Sequence, residues 1–395
     1  MAIREIVKGV HSVGAIDWDR RIFDELIPLP DGTSYNSYLI KGSDKTALID
    51  TVDPTKTGEL LANLKKSGIK RIDYVIANHA EQDHSGSLPD VLKAYPEAKV
   101  VTNEKCKSFL TDLLHIAESR FQVVKDGEIL SLGNKTLEFI FTPWVHWPET
   151  LVTYLHEDKM LFSCDFFGSH LATDDLFACC DTKLYEGAKR YYAEIMMPFR
   201  KLIQVNLKKL GKYRIAYIAP SHGPVYNKPE FIIDAYGEWV SDDVKPQVVI
   251  AYVSMHGSTD VMVKRLVASL EKHGMKVVSF NLPKADIGEL AIELVDASTI
   301  VIASPTVLTG PHPAAISAAY LASALRPKAK FAAIIGSYGW GGQMAEILKS
   351  VMPGLQAELL PPLLVKGLPR EADLKAIDAL AEVIVEKNKA LKLTK

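Results

Sequence analysis

The stretch NHAEQDHSGS, residues 78–87, places His79, Glu81, Asp83 and His84 within six positions. Imidazole nitrogens and carboxylate oxygens together hold transition metals. Three more groups of the same kind follow apolar runs: His146 in TPWVHWPET, Asp165 in LFSCDFFG and His222 in APSHGP. One histidine after a strand is usually a satisfied polar residue. Four such segments that supply four histidines and three carboxylates call for a shared partner. In an extended loop alternate residues face one way. On that spacing Glu81 joins His79 on one ion, while Asp83 and His84 serve a second. Asp165 has two oxygens and can bridge both ions, and His146 and His222 complete the two shells. Imidazole-rich sets suit zinc, whereas mixed imidazole and carboxylate sets suit redox-active iron.

A second chemistry-bearing pattern lies further along. VVIAYVSMHGSTDVMVKRL reads as a strand, a polar loop and a helix. Backbone N–H groups at a helix start, flanked by hydroxyls, cradle a phosphate. The turn residues are Ser254, Met255, His256, Gly257, Ser258 and Thr259. No Gly-Lys-Ser/Thr signature is present, so a monophosphate fits better than a triphosphate. Alone, such a loop is more often an ordinary helix cap. Two other loops follow strands: Pro305, Thr306, Val307, Leu308, Thr309 and Gly310 in IASPTVLTGPHP, and Ser337, Tyr338, Gly339, Trp340 and Gly341 in IGSYGWGGQ. Doubly wound sheets bind ligands outside the carboxyl ends of their strands. Gly339, Gly341 and Gly342 are expected to allow close backbone approach. Trp340 or Tyr338 would stack on a flat ring, or else simply pack the loop.

The elements that must position these residues fall into two grammars. Up to about residue 245, hairpins and helices mix. SYNSYLI and KTALIDT flank KGSD as a hairpin, RIDYVIANH is a buried strand, and a helical region spans about 183–210. From 246 to 395 strands and helices alternate, which predicts a doubly wound parallel sheet. Its last strand is expected near AELLPPLLV. The chain has 395 residues, 48% hydrophobic and 24% charged, enough for two cores. A net charge of -2 gives no field for nucleic acid or an anionic membrane. No long apolar run and no signal-peptide core are read, so a cytoplasmic protein is expected. Cys106, Cys164, Cys179 and Cys180 make no CxxC pair, which speaks for a reducing compartment and against a thiolate metal site.

The order His-x-Glu-x-Asp-His, His, Asp, His resembles the metallo-β-lactamase fold as flavodiiron proteins use it. Hydrolases of that superfamily usually carry histidine where this chain has Glu81, and an anionic oxygen there stabilises oxidised iron. The segment from 246 resembles short-chain flavodoxins, with Val253 where relatives often carry an acidic residue. The resemblance implies an α/β chain, an αββα metallo-β-lactamase-like sandwich (1–245) followed by a flavodoxin-like domain (246–395). It implies FMN in the three loops and two non-haem iron ions. His79, Glu81 and His146 would bind one iron, Asp83, His84 and His222 the other, and Asp165 would bridge. Family members differ on whether the histidine at His84 reaches metal. His170 and the pair Tyr191/Tyr192 resemble family residues near the site; from sequence alone packing is the weightier reading. The implied activity is reduction of dioxygen to water or nitric oxide to nitrous oxide. A head-to-tail homodimer or a tetramer is implied, in which each FMN faces the partner's iron pair. No appended rubredoxin or flavin reductase domain is read, so the donor is external, rubredoxin ahead of the reduced deazaflavin coenzyme. Two other readings stay open: a dizinc hydrolase with a flavodoxin-like accessory domain, and a pure electron carrier.

Overall fold

The structure is a computed structural model, and it describes residues 3–391. The chain divides into two compact units. One runs to Tyr192 and resumes at Phe199–Val240; the other takes Ala193–Pro198 and the chain from Ser241 on.

The first unit stacks two sheets. One has the order Arg4–Val7, Val10–Ser12, Tyr38–Lys41, Thr46–Ile49, Tyr74–Ile76, Lys99–Thr102, Phe121–Val123. The other runs Ile129–Ser131, Thr136–Phe141, Leu151–Leu155, Met160–Cys164, Tyr217–Pro220. Period-two alternation sorts their side chains. Tyr38, Ile40, Ala47 and Ile49 meet Phe139, Leu151 and Phe162 between the sheets. Leu39 and Leu48 point the other way, onto Leu60 and Leu64 of the helix Thr57–Lys66 and Val91 of the helix Leu88–Ala94. On the far side Tyr185, Tyr192, Tyr236 and Trp239 cluster among the helices Thr182–Tyr191 and Glu230–Val240. This is the four-layer αββα arrangement.

Two local expectations need correction. SYNSYLI is not one strand, since Thr33–Tyr35 pairs with Ala15–Asp17 and only Tyr38–Lys41 joins the hairpin with Thr46–Ile49. Asn36 breaks the run by bonding across to the other sheet, its Nδ2 donating to Pro220 O (2.9 Å) and Gly223 O (2.7 Å). The helical region near 183–210 is also interrupted, passing from Thr182–Tyr191 through a π turn, Tyr192–Met196, and a short 3-10 turn to Arg200–Leu210. A π turn often marks a functional site, and this one follows directly on Tyr191.

The second unit is a parallel sheet in the order Lys276–Asn281, Lys245–Tyr252, Ala297–Val307, Phe331–Tyr338, then Glu358–Leu359 and Leu363–Lys366. That is the 2-1-3-4-5 order of flavodoxin-like sheets. The last strand, read as one run, is two short pieces. Pro361 and Pro362 lie between them, and proline has no N–H to give a ladder. One face is covered by the helices Ser258–Lys272 and Glu371–Ala390, which bury Met262, Leu266, Ile377 and Ile384 against Ile250, Val301 and Ile335.

Candidate metal centre and flavin cleft

Each candidate ligand of the first unit sits just past a strand. The parallel pairing of Met160–Cys164 with Tyr217–Pro220 sets Cys164 opposite Pro220. Asp165 and His222 therefore leave the sheet side by side. Leu151 N donates to Asn78 O (3.0 Å) and draws the 78–87 loop onto the second sheet. Gly223 has φ +85°, and a Cβ there would collide with Ser169 Oγ. Glycine is thus required directly after His222.

The loop is not extended throughout. Gln82–Ser85 forms one helical turn after Glu81. The alternation expected for the whole motif therefore holds only from His79 to Glu81. The turn, not strand alternation, carries Asp83 and His84 to the other side.

The result is two adjoining clusters that share one carboxylate. In the first, Glu81 Oε2 lies 3.2 Å from His79 Nε2 and 3.0 Å from His146 Nε2. Asp165 Oδ2 is 3.6 Å from each of these nitrogens. In the second, Asp83 stands 3.2 Å from His84 Nε2 and 3.1 Å from His222 Nε2. Asp165 Oδ1 is 3.0 and 3.5 Å from the same two nitrogens. Thus one oxygen of Asp165 serves each cluster.

This donor set fits a pair of metal ions. Both oxygens of Asp83, Asp165 Oδ2 and His222 Nε2 are buried with no hydrogen-bond partner. Unpaired buried carboxylate is costly, and a cation among these atoms removes that cost. The outer nitrogens are already committed. His79 Nδ1 donates to Glu149 Oε1 (2.7 Å), and His222 Nδ1 donates to Ser34 O (2.7 Å). Both bonds fix the tautomer that offers Nε2 to a metal. Cys164 Sγ also lies within 4.8 Å of ligand atoms of His84 and Asp165. Burial, then Asp165 and Asp50, push its thiol well above the ordinary range, so it stays protonated.

Of the residues placed near the site, Tyr191 donates its hydroxyl to Asp165 Oδ1 at 2.8 Å. Tyr192 instead reaches Trp239 O at 3.3 Å and belongs to the aromatic packing. Packing thus describes Tyr192, whereas Tyr191 bonds a candidate ligand. His170 stands behind His222, ring centroids 4.8 Å apart, with Nδ1 2.9 Å from Thr33 Oγ1. Burial and the neighbouring His222 hold His170 well below its ordinary pKa, hence neutral. Sequence reading missed Glu149. Its one signal was position, three residues after His146 in a loop already suspected.

Without a bound cation the imidazoles would hold protons. Burial disfavours the charge, but Glu149 and Glu81 raise His79, and Asp165 and Asp83 raise His84. The same two aspartates lift His222 from 6.5 to about 10. A metal must displace these protons, because the ligand form is the deprotonated one. A raised pKa extends the protonated form upward in pH, so apparent iron affinity should climb with pH from 6.5 toward about 10. Adding ferrous iron anaerobically to metal-free protein at neutral pH should release protons measurable in a pH-stat. No release would mean that the cage binds without these histidines.

In the second unit a cleft opens at the carboxyl ends of the strands. Ser254, Met255, His256, Ser258, Thr259, Pro305, Thr306, Ser337, Tyr338, Gly339 and Gly367 line it. Gly257, at φ +92°, caps the 15-residue helix Ser258–Lys272. Ser254 Oγ accepts from Asp260 N (3.1 Å), and Thr259 Oγ1 lies 3.0 Å from Ser337 Oγ. Tyr338 lines the cleft, whereas Trp340 is 80% exposed and does not. Val307 and Gly310 pair as a hairpin with Leu308 and Thr309 at its tip, outside the lining. Gly341 also lies outside it. Gly341 and Gly342 have φ +128° and +143°, whereas Gly339 lines the cleft with open space where a Cβ would stand.

The comparisons bear on both sites. Residues 33–223 match the family model described as ODP family beta lactamase, a span that holds all seven candidate ligands. The chain is 37% identical to a nitric oxide reductase of Moorella thermoacetica, covering 94% of this chain and 95% of that protein. The structure superposes on rubredoxin oxygen:oxidoreductase from Desulfovibrio gigas with TM-score 0.94 at 31% identity, covering 98% of this chain and 99% of that one. It also matches the flavodiiron protein from Giardia intestinalis, TM-score 0.89 at 29% identity, with 98% of each chain covered. The chain belongs to the flavodiiron family. It is an oxidoreductase of that family, with a metallo-β-lactamase-like and a flavodoxin-like part, and the hydrolase reading falls. Its cofactors are FMN and a non-haem iron pair. No described helix of this flavodiiron protein is long and apolar enough to cross a membrane.

Proposed function

We propose that this flavodiiron protein reduces dioxygen to water, nitric oxide to nitrous oxide, or both. Its iron pair would be held by His79, Glu81, His146, Asp83, His84 and His222 with Asp165 between, and its FMN in the Ser254–Thr259 cleft. The observation that carries this reading is the division of Asp165, one oxygen toward each cluster. When bound, FMN and iron supply the electron transfer; the protein supplies geometry and protons.

Glu81 and Asp83 each give a site its own anion, which favours the oxidised metal over what histidine would give. Tyr191 steadies Asp165 with a donated hydrogen bond and offers a hydroxyl proton beside it. Trp147 walls the first cluster edge-on, its ring centroid 5.0 Å from His79, and helps to exclude bulk water. On the flavin side, the helix start at Ser258 and the hydroxyls of Ser254 and Thr259 would receive the phosphate.

A relative named rubredoxin-oxygen oxidoreductase supports a separate electron donor. We assign it to a rubredoxin-type carrier ahead of a reduced deazaflavin, and place the active form as a head-to-tail homodimer or a pair of such dimers. A two-fold axis repeats one FMN-to-iron contact twice, which supports the dimer. Stopped-flow mixing of the reduced protein with each gas, with product identified, tests the reading. Water or nitrous oxide is expected. Peroxide as the main product, or flavin reoxidation no faster than free FMN, would leave only an electron carrier.

A further inference from the structure

One histidine of each metal position, His79 and His222, differs in what stands behind its outer nitrogen. His79 Nδ1 donates to a carboxylate, Glu149 Oε1, at 2.7 Å, and both side chains are fully buried. His222 Nδ1 donates to a neutral peptide carbonyl, Ser34 O, also at 2.7 Å. Glu149 is itself well fixed. Ala80 N donates to the same Oε1 (3.1 Å), and Asn103 Nδ2 donates to the Glu149 carbonyl. Its Oε2 is buried without a partner. The other buried carboxylate nearby, Asp50, is bonded by Asn78 through N and Nδ2, both at 2.8 Å, and to no imidazole.

A carboxylate hydrogen-bonded to a ligating imidazole makes that imidazole the stronger donor and places an extra negative charge behind the metal. A peptide carbonyl does the first weakly and the second not at all. We infer that Glu149 is a positioning residue that makes the two irons inequivalent, so that the ion on His79, Glu81 and His146 is the harder one to reduce. The inference rests on the metal assignment proposed above. Were both ions bound, Glu149 would thus favour reduction at the Asp83/His84/His222 position first.

Glu149→Gln tests it on the full-length, iron- and FMN-loaded protein. Glutamine keeps an oxygen for His79 Nδ1 and Ala80 N but removes the charge. The expected variant keeps about two irons per chain, yet its harder one-electron couple shifts upward by at least about tenfold in the reduction equilibrium, about 59 mV. The other couple stays within error. The couples are read by redox titration, following the paramagnetic signal of the one-electron-reduced pair. Glu149→Ala, which also removes the acceptor, should release iron to a chelator from one site only, about 10–100-fold faster or more weakly held. If both couples of E149Q stay put, or both move equally, the inference is wrong. A parent protein without two irons would instead sink the metal assignment.

Discussion

Protein carrying Asp165→Asn should purify with less than about one tenth of the parent's iron, since even residues one shell further out are worth 10–100-fold in metal affinity. Asp165 faces four imidazoles at 3.0–3.6 Å and presents one oxygen to each cluster. An amide has a single acceptor oxygen. Whichever cluster receives it, the other meets an NH₂ group, which repels a cation. The gas-reduction rate should fall by at least about 10³-fold, about 4 kcal/mol of barrier. The amide can still take the Tyr191 hydroxyl, so local packing is kept. Elemental analysis beside flavin absorbance checks this: iron is lost and FMN stays. Two irons per chain in the variant would mean that Asp165 is not the shared ligand.

The second large effect belongs to the flavin cleft. Ser254→Asp should leave the fold as stable as the parent and yet strip the FMN. Ser254 Oγ already accepts from Asp260 N at the start of a long helix. A carboxylate there can still accept from Asp260 N and suits the positive end of the helix. The same carboxylate occupies the cradle that the phosphate needs. Two anions in one N-terminal site repel, and affinity should drop by about 10³-fold, about 4 kcal/mol. Thermal unfolding of both proteins freed of FMN, beside flavin content, separates the two effects, because bound FMN itself raises a midpoint; the flavin-free midpoint should be unchanged or raised while FMN binding is lost. Retention of FMN at parental affinity would place its phosphate elsewhere. The two variants also test the proposed dimer. S254D keeps iron and D165N keeps flavin, so neither is active alone. Subunit exchange between them should restore activity only if flavin and iron work across chains.

Much of the candidate centre was readable because its ligands follow apolar strands, and strand ends on one side of a sandwich converge. The grouping of Glu81 with His79, and of Asp83 with His84, also stood in the spacing, though the structure supplies a different cause in the turn Gln82–Ser85. What was not readable depends on orientation. No pattern says that Tyr191 reaches Asp165 while Tyr192 turns to Trp239. No pattern says that Glu149 lies behind His79, because that contact joins separate loops. In the flavodoxin-like unit the βαβ rhythm implied a doubly wound parallel sheet, while its 2-1-3-4-5 strand order came only with the structure. So did the choice of loop residues that line the cleft. Leu308 and Trp340 are 89% and 80% exposed at loop tips, and no residue pattern sets them apart from their lining neighbours.

The convergence of strand ends also orders events in the life of the chain. The candidate ligands run from His79 to His222, and the last of them reaches its place only when Tyr217–Pro220 has paired with Met160–Cys164. A nascent chain therefore offers no finished cage until nearly the whole sandwich has left the ribosome. Metal binding by all seven groups would therefore follow that pairing rather than seed it.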